Sequence, residues 1–183
     1  RSKDRCIAIS AFSADEQNTV FKWVQNGGGL LITADHPPFG TAVAELLCRF
    51  GIEGSGGYTI DTSPEKHLKR SLSTLVFSRE NGLLGNSPMI TGIQPGDRVA
   101  KIISCTGNSF RSPSGGFGFL HCSPTAWEVF TDKAINSLEQ FMSPPPGLMY
   151  RPSISASGRV QGVAVRIGQG RVVVLGDGSL LTA

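Results

Sequence analysis

The stretch from Ser13 to Ala34, SADEQNTVFKWVQNGGGLLITA, constrains the fold more than any other part of this chain. Ser13 stands where a helix N-cap is expected, and Glu16 three residues on completes a capping box. Val20, Phe21, Trp23 and Val24 supply an apolar helical face, and Gly27 to Gly29 end the helix in a C-cap and turn. Leu30 to Ala34 then reads as a buried strand. A second apolar run, Cys6 to Ser10 (CIAIS), precedes the helix. Strand, helix and strand in so short a span form a βαβ unit, which implies parallel strands and a right-handed crossover.

Further along, TAVAELLCRFGI places Val43, Leu46, Leu47 and Phe50 at helical spacing, with Gly51 as a stop. STLVF fits a strand or the end of a helix, and Gly82 to Gly96 reads as loop. Arg98 to Ser104 (RVAKIIS) and GGFGFLHC read as strands, and TDKAINSLEQFM as a short helix. SPPPG and SISASG are loop-like. The chain closes with RVQGVAVRIGQGRVVVLGD, two strands joined at Gly168-Gln169-Gly170 in a hairpin. There is no internal repeat or composition break, so residues 1–183 are expected to form one domain.

Composition excludes several classes. Of 183 residues 39% are hydrophobic and 17% charged, a globular balance. No run approaches the roughly 20 apolar residues of a membrane-spanning helix. The net charge of +3 comes from scattered lysines and arginines, without a basic stripe interleaved with aromatics, so no nucleic-acid partner is expected. KHLKR, Lys66 to Arg70, fits a solvated helix face. Cys6, Cys48, Cys105 and Cys122 show no CxxC or zinc-ligand spacing; Cys6 in an apolar strand and Cys48 on the apolar side of a helix read as buried free thiols, which leans towards a reducing, cytoplasmic compartment. The chain begins at Arg1 with a strand almost at once. A removed leader and a missing N-terminal segment both fit that start.

SADEQNTVFKWVQNGGGLLITADH resembles a segment of the class I glutamine amidotransferase-like superfamily, nearest to its bacterial and trehalose-utilisation (ThuA-like) members. GQGRVVVLGDGSLLT is similar to the closing hairpin of that group, and CTGNSF to a polar turn in it. The resemblance implies an α/β, flavodoxin-like three-layer sandwich with a mostly parallel central sheet, Rossmann-like in architecture, and a C-terminal β-hairpin. The chain departs from the group's chemistry. Ile103 and Ser104 precede Cys105 where a G-x-C-x-G elbow needs glycine, and no His-x-Glu follows His121. Glutaminase activity is therefore disfavoured, and a G-x-S-x-G elbow is missing as well.

In an open parallel sheet, ligands bind beyond the carboxyl ends of the strands. Three polar tips are expected to meet there: Asp35-His36, Thr106 to Ser109, and Asp177 to Ser179. For a hydrolase of small molecules, His36 would be the general base, Asp35 or Asp177 its orienting carboxylate, and Ser109 or Ser179 the nucleophile. Gly107 and Gly178 would offer N–H groups to an oxyanion, with Asn108 and Ser179 contacting substrate. No cofactor is required. A divalent metal on Asp35, His36 and Asp177 is the weaker version, because adjacent residues on an extended tip point opposite ways.

Structural roles compete for the same residues. Asp35 can cap the helix near Gly40, His36 can bond a carbonyl, Asp177-Gly178 is a common turn pair, and Ser109 is ordinary in a loop. His67 reads as solvated and His121 as a core histidine. Among Phe12, Trp23 and Phe39, which could line a pocket, Trp23 fits core packing better. The alternative function is a non-catalytic ligand- or sugar-binding or interaction module of the same fold.

Overall fold

A computed structural model describes residues 10–66, 68, 71–131 and 150–181. The strand expected at Cys6 to Ser10, the helix expected over TDKAINSLEQFM, the SPPPG loop and His67 fall wholly or almost wholly outside them.

Helix α1 (Ala14–Gln25) carries the expected capping box: the Ser13 side chain accepts from the Glu16 N–H, and Glu16 accepts from the Ser13 N–H at 2.8 Å. Its inner face presents Val24, with Val20 and Phe21 packed on the same core. Trp23 corrects the core assignment: it is 51% exposed, and its indole lies over Gly28. Strand β1 (Gly29–Thr33) follows, then two short helices, α2 (Phe39–Ala42) and α3 (Ala44–Arg49), where one had been expected. In α3, Leu46 and Leu47 are buried and Phe50 caps the end. Cys48, read as buried, is exposed on the other side of the turn.

The middle of the chain is richer in strands than its pattern suggests. β2 (Glu53–Gly54), β3 (Tyr58–Asp61), β4 (Thr74–Ser78), α4 (Pro88–Thr91), β5 (Lys101–Cys105), β6 (Phe110–Arg111), β7 (Phe117–His121), β8 (Ala126–Thr131) and β9 (Tyr150–Ser155) follow in order. β9 occupies a stretch read partly as loop. β10 (Val160–Ile167) and β11 (Gly170–Leu175) close the chain as a two-residue hairpin, with Gly168 at φ +58° in its first central position.

The strands form three sheets: β1-β11-β10-β6-β2 with β7 also on β10, β3-β8-β9, and β4-β5. The expectation of a flavodoxin-like, mostly parallel sandwich is overturned. Among the described residues only β1 and β11 pair parallel, and every other ladder is antiparallel. The difference has a physical cause. A continuous apolar run marks a strand buried on both faces, which parallel sheets usually are. Here β10 is buried on both faces within antiparallel pairings. Val163 and Val165 join Val172 and Val174 in a core under α1 and α3, while Ala164 turns to a second core with Leu75 and Phe77 of β4.

Candidate functional site

Because β1 and β11 run parallel in register, with Thr33 opposite Leu175, the chain leaves both at the same end. Asp35 and Asp177, each two residues beyond that pair, are thereby brought together. The Asp35 carboxylate bridges the two exits: Oδ1 accepts from its neighbour's N–H at His36 (2.7 Å), and Oδ2 from the Gly178 N–H (3.3 Å). It does not cap α2, whose N-cap is Pro38 without a side-chain bond.

His36 stands outside this bridge. Its Nδ1 donates to the Pro37 carbonyl at 2.7 Å, which leaves Nε2 as the basic nitrogen. Nε2 is 3.9 Å from Asp35 Oδ1, beyond hydrogen-bond reach. The ring sits edge-on to the exposed Phe39, centroids 5.8 Å apart. Among the described residues His36 has no hydrogen bond to Asp177, Ser109 or Ser179. In a serine triad the orienting carboxylate accepts a hydrogen bond from Nδ1–H; here the Pro37 carbonyl accepts it.

Asp177 is 1% exposed and saturated by its own fold. Oδ1 accepts from the Ser179 N–H at 2.8 Å, while Oδ2 accepts from the Ser179 hydroxyl at 2.7 Å and from the Cys105 N–H. It pins the end of β5 to the end of β11. Ser179 therefore donates to a carboxylate that has no histidine behind it.

The third tip turns inward instead of joining the rim. Gly107 is wedged between Ser104 Oγ, Gln161 Nε2 and Asp177 Cβ, all within 3.0 Å of where a Cβ would stand, and its carbonyl accepts from Thr59 N–H at 2.8 Å. Asn108 is buried, accepting from the Ser55 N–H and hydroxyl (3.2 and 2.6 Å) and donating its own N–H to the Gly176 carbonyl. Ser109 is fully buried, its hydroxyl accepting from Arg159 Nε at 2.7 Å and its carbonyl from Arg159 Nη2 at 2.9 Å. A nucleophile needs access and a base, and Ser109 has neither. Among the described residues no three histidine, cysteine, aspartate or glutamate side chains gather in one group.

The residues missed by sequence reasoning are those behind this tip. Glu128 on β8, Arg159 and Gln161 are buried. Glu128 Oε1 accepts from the Thr59 hydroxyl (2.7 Å), and Gln161 Oε1 from Ser104 (2.6 Å). Burial pulls the Arg159 guanidinium down from its ordinary value, with the Glu128 carboxylate opposing the shift. Burial also pushes the Cys122 thiol well up, with Glu128 adding to it. Trp127, Glu128 and Val129 alternate as a strand should, but that alternation alone assigns the glutamate to solvent.

No family model matches this sequence, and no curated protein matches it. Among solved structures the chain is similar to the mmIFT52 N-terminal domain, with 14% identity and a TM-score of 0.55. The alignment covers 91% of this chain and 60% of that one, so the chain spans about three fifths of its neighbour's length. At this identity the likeness is one of fold. It overturns the amidotransferase-like resemblance: the segments that suggested it are a capped helix and a hairpin in a mixed, mostly antiparallel sheet, and nothing in the comparisons supports a hydrolase or a Rossmann-like enzyme. Among the described residues no helix is long and apolar enough to cross a membrane.

Proposed function

We propose that this chain is a non-catalytic interaction module in which the polar rim holds loops together. One observation carries the reading. The carboxylates and hydroxyls open to hydrolysis are engaged elsewhere: Asp177 and Ser109 are buried and fix backbone and Arg159, Asp35 stands 3.9 Å from His36 Nε2, and the Ser179 hydroxyl donates to Asp177. His36, Phe39 and the outer edge of Asp35 remain as a small exposed surface suited to contact.

The test is turnover by wild type, His36→Ala and Asp35→Asn against ester, amide, lactone and glycoside probes, with and without divalent metals. No turnover above buffer is expected from any of the three. Turnover lost in both variants, with circular dichroism unchanged, would refute the reading.

A further inference from the structure

The two faces of the β1-β11-β10 sheet are covered unequally. Val172, Val174, Val163 and Ile32 lie under α1 and α3. The opposite face carries Leu31, Val173, Leu175 and Ala164, and among the described residues it is covered only in part, by β4, β5 and α4. An apolar groove of about 440 Å³ remains there, lined by Leu31, Met89, Ile102, Phe119, Val173 and Leu180 among others. Leu31 is 54% exposed although it sits in the middle of a strand, and Met89 is 40% exposed. Apolar sheet faces are normally buried against another layer, and a contiguous exposed apolar patch marks an interaction site.

The charge beside the groove indicates what covers it. Register puts Arg166 of β10 directly opposite Arg171 of β11. Side chains alternate, so both lie on the face of Ala164 and Val173, at the end of the sheet away from the rim. Both are exposed, and among the described residues neither guanidinium has an ion pair or hydrogen bond. Like charges directly opposite on neighbouring strands repel, and an acidic group between them relieves the repulsion. A second copy of this chain brings the same basic pair and a formal net charge of +3, so it is a poor match. The groove crosses a sheet whose strands β11 and β10 are paired on both sides, which leaves side-chain contact as the available mode there. A helix is the layer that α1 already supplies on the other face.

We propose that this groove receives an amphipathic helix of a partner protein, its apolar stripe on Leu31, Val173 and Met89 and its acidic end against Arg166 and Arg171. The proposal rests on the interaction-module reading and adds the surface and the partner's chemistry.

The experiment titrates the full chain into two labelled helical peptides of about 16 residues, roughly 24 Å of helix, and follows fluorescence anisotropy. Both carry leucines at i, i+3, i+4 and i+7; one ends in glutamates and the other in lysines. The glutamate peptide is expected to bind at least about tenfold more tightly at low salt, with the advantage shrinking as salt rises. Arg166→Glu with Arg171→Glu reverses the preference, and Leu31→Asp abolishes binding of both. Equal binding of the two peptides, no binding, or indifference to Leu31→Asp overturns the proposal. So does self-association in sedimentation that Leu31→Asp removes, which would give the groove to a second copy. Turnover in the probe panel would sink the module reading itself, so the two failures are distinguishable.

Discussion

Thr106 illustrates how much of the rim is decided one residue at a time. It lies in the left-handed region at φ +57°, where a β-branched residue is strained. Its N–H donates to the Ser73 carbonyl and its hydroxyl to the Cys105 carbonyl. Those bonds hold a turn that lets Gly107 slip between Ser104, Gln161 and Asp177. Thr106→Gly is expected to raise stability by about 1 kcal/mol by removing the steric cost, measured by urea unfolding at constant m-value. A drop in stability would mean that the hydroxyl bond outweighs the strain. At the same scale, the sequence shows that Asp35 and Asp177 each end an apolar strand run, while their meeting comes from the parallel pairing of β1 with β11. The burial of Ser109 was not. Nothing local to CTGNSF says that Arg159, fifty residues on, lies against it.

Among elements, α1 is the one whose limits follow from its own residues. Ser13 and Glu16 satisfy each other's donors, an arrangement set by spacing along the chain and needing no tertiary partner. Ser13→Ala is expected to cost about 1 kcal/mol. The Ser13 backbone N–H, and then its hydroxyl, hold the Glu16 carboxyl below its ordinary range. A depressed folded pKa contributes stability that is fully present above the unfolded glutamate value and is lost as pH falls through the folded one. Thermal melts across the acid range should therefore show a shallower acid limb for Glu16→Gln than for wild type, and an unchanged limb would refute the assignment. The strands behave differently. β10 and β11 were readable as a hairpin because Gly168 and Gln169 leave only a tight turn, whereas β3 and β8 find each other across more than sixty residues.

At the scale of the whole molecule, apolar clusters lie on the two faces of the main sheet, and Thr59, Glu128, Ser109, Arg159 and Gln161 form a separate buried polar seam. Cys122 borders that seam, buried and with its thiol pushed well up, while Cys48 and Cys105 are exposed. Alkylation followed by peptide mapping is expected to modify Cys48 and Cys105 in the native protein, and Cys122 only on unfolding. Prompt native labelling of Cys122 would show that the seam opens on its own. Sequence by itself determined what depends on near neighbours: the capped helix α1, the apolar strand β1, the closing hairpin, and two aspartates at strand ends. Tertiary structure alone decided the antiparallel character of the sheet, the inward turn of Asn108 and Ser109, and the partly uncovered face around Leu31. A strand buried on both faces shows the same apolar run whichever way its partners point, and a polar side chain has the same identity whether water or a distant arginine satisfies it.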